Sequence, residues 1–344
     1  KINILIINML NKIKVGISIG DPNGIGLEII LKTFQNSEIF KSFLPIVFAN
    51  FKLVEFQKKY FNLKTKIVKT KSINYIENSK LNIIDCWNTD YKINFGKDDK
   101  TAGELSFISL SSCSNALKKG EVDVMLTAPI NKANIQSAKF KFKGHTDYLN
   151  NLFNNKSLMM MVSKNLIIGL LTDHIPLNEI VSNLSENLII EKLKILHNSL
   201  IKDFKISNPN IAILSINPHA GDKGIIGSED DEIIIPALYK LNKENIQIKG
   251  PFSSDSFFGS GKYKEFNAVM GIYHDQALIP FKTLSFGSGV NFTAGLDVVR
   301  TSPDHGTGFD IAGKNIANNS SFFEALLLLK KIYNNRNKFQ VNKN

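Results

Sequence analysis

The 344-residue chain has two cysteines, Cys86 and Cys113. Two thiols give no disulfide framework and no CxxC pair for structural zinc, which fits a reducing cytoplasm. Long apolar runs are also missing, and none approaches the ~18–20 residues that a membrane-spanning helix needs. The apolar start, KINILIINML, lacks a small-residue cleavage site, so no signal peptide is expected. Met9 is read as a natural start, and residues 1–8 are given no role. Arginine is scarce: of 42 Lys and Arg residues, two are Arg, at 300 and 336. The net charge is +11, yet the lysines are scattered and no dense basic run with interleaved aromatics occurs. Neither nucleic acid nor membrane is therefore expected as a partner, and the charge reads as a general pull on small anionic ligands.

What is present suits a soluble globular protein, with 43% hydrophobic and 21% charged residues. The length predicts about two domains. Strand-like and helix-like segments alternate from Lys14 onward, which predicts an α/β fold throughout. KVGISIG leads through DPNGIG into an apolar-periodic helix over Leu27–Gln35. That turn matches neither GxGxxG nor GxxxxGK[ST], so it reads equally as a phosphate cradle or as a tight structural turn. A long helix is predicted over Thr101–Lys119 with Thr101 as N-cap, and another over Leu177–Asp203 with a break near Ser185. VDVMLT reads as a strand covered on both faces, and Lys132 follows at its carboxyl end, where open parallel sheets bind ligands.

Five of the six histidines fall at turns or strand ends: His145, His174, His219, His274 and His305. TDHIP, INPHAG and IYHDQ each place a histidine directly after an apolar strand. In a parallel sheet such ends share one edge, so three imidazoles can meet at one divalent ion with an open position. The competing reading is that each merely hydrogen-bonds backbone at its strand end. Asp255 and Asp275 are candidate proton carriers or supports for such a site. The stretch Tyr273–Lys314 is rich in Gly and polar residues and reads as ligand-binding loops. An Arg there, where nearly every other cation is Lys, points to bidentate binding of phosphate or carboxylate by Arg300. Lys282 and Asn291 recur at intervals of nine before it, and with His145 and Thr146 they suit a phosphorylated, hydroxylated small molecule. HGTGFDIAGK, containing His305, Gly306, Thr307 and Asp310, is a loop whose backbone can approach a nucleotide closely.

GDPNGIG, LTAPINK, GHTDYL, TDHIPL, NPHAGDKG, GPFSSDSFF, YHDQALIPFK, GVNFTAGLDVVRTSPDHGT and DIAGK follow one another in a familiar order and spacing. By these blocks the chain resembles the 4-hydroxythreonine-4-phosphate dehydrogenase family of pyridoxal phosphate biosynthesis, from Lys14 to about Tyr333. The resemblance implies an isocitrate/isopropylmalate dehydrogenase-like fold: two α/β lobes, a cleft between them, and a homodimer with active sites at the interface. The lobes are expected at 9–135 plus 295–344 (nucleotide side) and at 136–294 (metal, substrate and dimer side). Carried over by position, the divalent-metal ligands fall on His174, His219 and His274. Substrate contacts fall on His145, Thr146, Lys282, Asn291 and Arg300, and the cofactor loop on His305, Gly306, Thr307 and Asp310. Asp255, Asp275 and Lys132 remain open as the proton-transferring group. The implied reaction oxidises 4-phosphooxy-L-threonine at C3 with NAD or NADP and decarboxylates the product. It uses one divalent ion per subunit: zinc, magnesium, manganese or cobalt. A D-threonate or D-erythronate 4-phosphate dehydrogenase is the nearer alternative. An acyltransferase or a non-catalytic phosphoanion-binding protein is the farther one.

Overall fold

The structure, a computed structural model, describes residues 12–341. Met9, the apolar start and residues 342–344 lie outside the described residues. The chain divides into two compact units, 1–153 with 298–330, and 154–297 with 331–344. Strands are numbered along the chain. In the first unit they are β1 (Ile13–Ser18), β2 (Phe43–Ala49), β3 (Ile67–Lys69), β4 (Leu81–Asp85), β5 (Val124–Thr127) and β12 (Arg300–Pro303). Their order is β3-β4-β2-β1-β5-β12, every pair parallel. All seven residues of β2 and all four of β5 are buried, as befits strands with both faces covered.

Parallel strands need crossover connections, and helices supply them. In this unit they are α1 (Gly26–Thr33), α2 (Phe51–Tyr60), α3 (Lys100–Lys118) and α4 (His145–Phe153). Asn50 caps α2 by accepting from the Leu53 amide at 3.1 Å. The N-cap of α3 is Asp99 rather than Thr101: its carboxylate accepts from the Thr101 amide at 2.8 Å. Asp caps at least as well as Thr, and here it lies two residues earlier. Within α3 a Cβ on Gly103 would lie 2.0 Å from the Asn134 carbonyl oxygen, so only glycine admits the loop that follows β5. Residues 136–153 sit with the first unit, not the second as the sequence suggested. Tyr148 of α4 packs in a ring cluster with Phe107, Phe140 and Phe142, its hydroxyl 3.1 Å from Ser114 Oγ.

The second unit holds β6 (Leu158–Val162), β7 (Ile167–Leu170), β8 (Ile211–Leu214), β9 (Ile248–Phe252), β10 (Ala268–Gly271) and β11 (Val290–Ala294). The order is β11-β6-β7-β10-β8-β9; β6 is antiparallel to both neighbours and β7, β10, β8 and β9 run parallel. Met161, Ile168, Leu214, Val269, Ala277 and Phe281 share its buried core. Its helices of six residues or more are α5 (Glu186–Lys202), α6 (Ile235–Lys243), α7 (Ser254–Gly259) and α8 (His274–Ser285). The expected break at Ser185 is the N-cap of α5, whose hydroxyl accepts from the Leu188 amide at 3.2 Å.

Two expectations for the C-terminal third change. Tyr273–Lys314 is not mainly loop: it contains α8, β11 and β12, with left-handed Gly287 and Gly295 in the intervening connections. The last helix, α9 (Ser320–Val341), runs past Tyr333 into the expected frayed tail. A buried ion pair explains the extension. Arg336 donates through Nε to Asp203 Oδ1 at 2.6 Å and through Nη2 to Oδ2 at 3.2 Å. Its Nη1 donates to the Leu296 carbonyl at 2.9 Å. Breaking a buried pair strands the surviving charge. Arg336→Met is therefore expected to cost about 3–5 kcal/mol of stability, read as a lowered urea midpoint.

Candidate active site

In the first unit the functional groups gather where β1, β5 and β12 end or begin. Arg300, the first residue of β12, is 2% exposed. Its Nε and Nη2 donate to Thr127 Oγ1, the last residue of β5, at 3.1 and 2.7 Å. Burial pulls the guanidinium down to about 9, so it remains a cation at neutral pH. His145 opens α4, and its Nε2 is sealed from solvent without a hydrogen-bond partner. Burial, then the charges of Arg300 and Lys132, hold its pKa well below the ordinary imidazole value. The helix N-terminus acts in the same direction. The result is a charged, planar donor beside a neutral imidazole, with the exposed Lys132 adding positive field. Thr146 lies half-buried in the first turn of α4.

The DPNGIG turn borders this region. Asp21 is fully buried, accepting from the Asn23 amide at 2.9 Å and from Asn134 Nδ2 at 3.2 Å. It thereby ties the turn to the loop after β5. The 305–314 loop lies against the turn: the Ile25 amide donates to the Thr307 carbonyl at 2.9 Å. A Cβ on Gly24 would come within 2.7 Å of that carbonyl, which is why glycine stands there. His305 Nδ1 lies 3.0 Å from the Gly306 carbonyl, and its Nε2 is buried without a partner. Gly306 and Asp310 are exposed.

The second unit carries the other three strand-end histidines on β7, β10 and β8, which are consecutive neighbours in its sheet. His174 and His274 lie with ring centroids 5.6 Å apart. Two imidazoles on one tetrahedral ion, each nitrogen about 2.0–2.1 Å from it, put their centroids about 5 Å apart, so this pair fits a shared ion. His274 Nδ1 lies 2.7 Å from Asp275 Oδ1, and a carboxylate so placed favours the proton on Nδ1, which leaves Nε2 as the electron-donating nitrogen. His174 has Asp173 on its Nδ1 side at 3.9 Å.

His219 sits in a turn where residues 219–224 all have positive φ, from 43° to 91°. Asp230 holds the entry to that turn, accepting from the Ile216 and Asn217 amides at 2.9 and 3.0 Å. Asp255, which feels the charge of His219, stands in the first turn of α7. The Ser253 hydroxyl and the Ser256 amide, with a smaller contribution from His219, hold the Asp255 carboxyl below its usual range. Asp255 and Asp275 line a cavity of about 490 Å³ with Phe258, Tyr273, Ile279 and Leu284. Among the described residues no three His, Cys, Asp or Glu side chains converge closely enough to ligate one ion. Two of the three histidines are thus brought together in one chain. Lys282 is exposed in the last turn of α8, and Asn291 is half-buried in β11 opposite Met161.

Thr127, Asp21 and Asp173 escaped the sequence reading as site residues. For Asp173 and Asp275 a signal exists, because each adjoins a strand-end histidine. Thr127 has none, since its role depends on β12 lying beside β5.

Comparison with known proteins defines the class first. Isocitrate dehydrogenase from Methylococcus capsulatus is similar at a TM-score of 0.50 and 10% identity, over 95% of this chain and 88% of that one, a likeness of fold alone. A crystal structure of 4-hydroxythreonine-4-phosphate dehydrogenase from Klebsiella pneumoniae is similar at a TM-score of 0.79 and 28% identity, over 94% and 98%. The chain belongs to the pyridoxal phosphate biosynthetic protein PdxA family, whose profile matches residues 41–329. A 4-hydroxythreonine-4-phosphate dehydrogenase of Bacteroides thetaiotaomicron is 42% identical over 95% of this chain and 90% of its own. A relative in Oceanobacillus iheyensis, 33% identical over 92% and 97%, is named provisionally as a D-threonate 4-phosphate dehydrogenase.

The burial of His145 makes a titration test. A folded-state pKa below the unfolded value means that the unfolded chain binds the proton more tightly, so stability from this group falls as pH drops below about 6.5. In a nitrogen-15 NMR titration the His145 ring is expected to titrate with a midpoint well below the ordinary imidazole value. A midpoint at or above 6.5 would contradict the sealed environment.

Proposed function

We propose that this chain oxidises 4-phosphooxy-L-threonine at C3 with NAD(P)+ and decarboxylates the resulting β-keto acid to 3-amino-2-oxopropyl phosphate, in vitamin B6 biosynthesis. The observation that carries the reading is the buried, still-charged Arg300 beside a neutral His145, in a chain 42% identical to a protein of that name. The planar fork of a guanidinium suits phosphate or carboxylate. Lys282 serves as a second anion anchor, and Asn291 and Thr146 offer hydrogen bonds to hydroxyl or amino groups. His145, being neutral, can exchange a hydrogen bond with substrate without adding a competing charge.

Bound NAD(P)+ supplies the hydride acceptor, and a divalent ion supplies Lewis acidity. The residues for the ion are His174, His219 and His274; three imidazoles favour zinc on ligand softness, with magnesium, manganese and cobalt as the other candidates. The 5.6 Å pair of rings and the carboxylate behind His274 support that donor set. The chain's own task in the hydride step is alignment, which the His305–Asp310 loop and the Arg300 anchor provide from one unit. The C3 hydroxyl proton goes to one of Asp255, Asp275 or Lys132. After loss of CO2 the carbon it leaves takes up a proton.

A homodimer completes the proposal. Nine of the fourteen exposed large hydrophobic side chains among the described residues lie in 154–297, including Ile225, Ile279 and Phe286. Of these, Ile279 and Leu284 line the same cavity and stand with Phe286 in or next to α8, an apolar group suited to a partner surface. No described helix is long and apolar enough to cross a membrane. A cytoplasmic setting is proposed from the two free thiols and the soluble composition.

D-threonate 4-phosphate is the second reading, favoured by the name of the Oceanobacillus iheyensis relative. A panel of 4-phosphorylated acids assayed for NADH or NADPH formation decides between them; 4-phosphooxy-L-threonine is expected to give the highest kcat/KM. Activity that survives complete chelation would remove the metal from the reading. Absence of any nicotinamide reduction would return the acyltransferase and anion-binding alternatives. Arg300→Lys keeps the charge but loses the fork, and is expected to lower kcat/KM by about 2 kcal/mol of transition-state binding. A variant as active as wild type would refute the bidentate role.

A further inference from the structure

Behind the glycine-rich loop lies a carboxylate that the reaction does not use. Glu28 stands in the first turn of α1, four residues past Gly24, and has no solvent exposure. Its Oε1 accepts from the Ala317 amide at 2.9 Å and from the Lys32 ammonium at 2.7 Å, while Oε2 is buried without a partner. Lys32 also donates to the carbonyls of Asn315 and Ala317, each at 3.0 Å. A desolvated carboxylate is a costly way to fill space between a helix and a loop, where an apolar side chain of similar volume serves better. Here both the carboxylate and the ammonium are directed at the same three residues of backbone, 315–317.

Those residues are the exit of the 305–314 loop. Its entry is held by the same helix, through the Ile25 amide on the Thr307 carbonyl at 2.9 Å. Asn319 Nδ2 adds a contact to Thr33 Oγ1 at 3.0 Å, at the far end of α1. Between the two anchors the chain turns through Gly308 and Gly313 with φ of 55° and 78°. Such a glycine-punctuated segment would lose much conformational freedom on binding a ligand unless it were already ordered.

We infer that Glu28, acting with Lys32, is a positioning residue for the nicotinamide dinucleotide, holding the exit of the 305–314 loop against α1. The cofactor then meets a loop and a DPNGIG turn fixed as one surface. This rests on the nucleotide reading of that loop. Ordering cost is incurred when the cofactor binds, so loss of the tether appears in cofactor KM and Kd and leaves kcat nearly untouched.

Glu28→Gln preserves shape and an acceptor for the Ala317 amide but removes the charge facing Lys32. Its KM and calorimetric Kd for NAD or NADP are expected to rise about tenfold with kcat within about twofold, as for loss of a charged hydrogen bond. Hydrogen exchange at 315–317 is expected to quicken. In case this variant fails to fold, wild-type exchange supplies a second measurement. Amides of 315–317 are expected to be protected before any cofactor is added, and cofactor is expected to slow exchange chiefly within 305–314. Protection of 315–317 that arises only with cofactor overturns the inference. So does a Glu28→Gln protein of lowered thermal stability with unchanged cofactor KM. Wild type that binds neither NAD nor NADP overturns the nucleotide reading itself, and shows it before any variant is made.

Discussion

A guanidinium must stay charged, and in this fold it is kept almost out of water. Taking an ion from solvent into a protein interior costs several kcal/mol even after relaxation. Thr127 gives Arg300 a hydroxyl acceptor for two of its donors, which fixes the plane of the guanidinium. Burial depresses Arg300 to about 9, and burial together with the charges of Arg300 and Lys132 holds His145 well below the ordinary imidazole value. The parallel sheet makes this arrangement available. β5 and β12 pair side by side, which lets a side chain at the start of one strand reach the end of the other.

The second unit applies the same edge rule to softer chemistry. Its three histidine-bearing loops leave neighbouring parallel strands, and two rings already stand at a separation suited to a shared ion. His219 is presented differently. A left-handed residue other than glycine costs roughly 1–2 kcal/mol, and His219, Ala220, Asp222 and Lys223 are all of this kind. Asp230 helps to offset that cost, with both carboxylate oxygens on the amides just ahead of the turn. Observed strain of this sort points towards function, and the histidine at its start is the residue that function would use.

Much of this was legible in the residues. Apolar strands ending in TDH, NPH and YHD announced histidines on one edge, because strand periodicity and turn chemistry are local. Ser185 announced the break before α5 for the same reason. What was not legible depends on distant partners. Thr127 becomes significant through β12, which lies 173 residues further along. Glu28 reads as an ordinary acidic residue in a helix's first turn until Ala317 is found on it. The Gly-rich stretch from Tyr273 has the composition of loop, because composition does not reveal where its glycines fall. They lie largely between elements, leaving room for α8, β11 and β12. Residues 136–153 were assigned across the boundary because nothing in their own pattern reveals that Tyr148 enters the ring cluster of α3.

The two kinds of cation divide the electrostatics between them. Lysine carries nearly all of the +11, yet both arginines are among the buried residues. A buried ammonium escapes its desolvation cost by releasing a proton, whereas a guanidinium, with its far higher intrinsic pKa, keeps its charge. Position 336 uses that persistence to hold Asp203, and position 300 keeps its charge although it is almost fully buried. The diffuse lysine field can draw phosphorylated substrate and dinucleotide alike towards the protein, but it falls off within a Debye length of about 8 Å at physiological salt and distinguishes little. Finer discrimination among anions needs desolvated, planar donors, and a buried guanidinium such as that of Arg300 is of this kind: a misplaced oxygen leaves a charged donor unsatisfied and a well-placed pair does not.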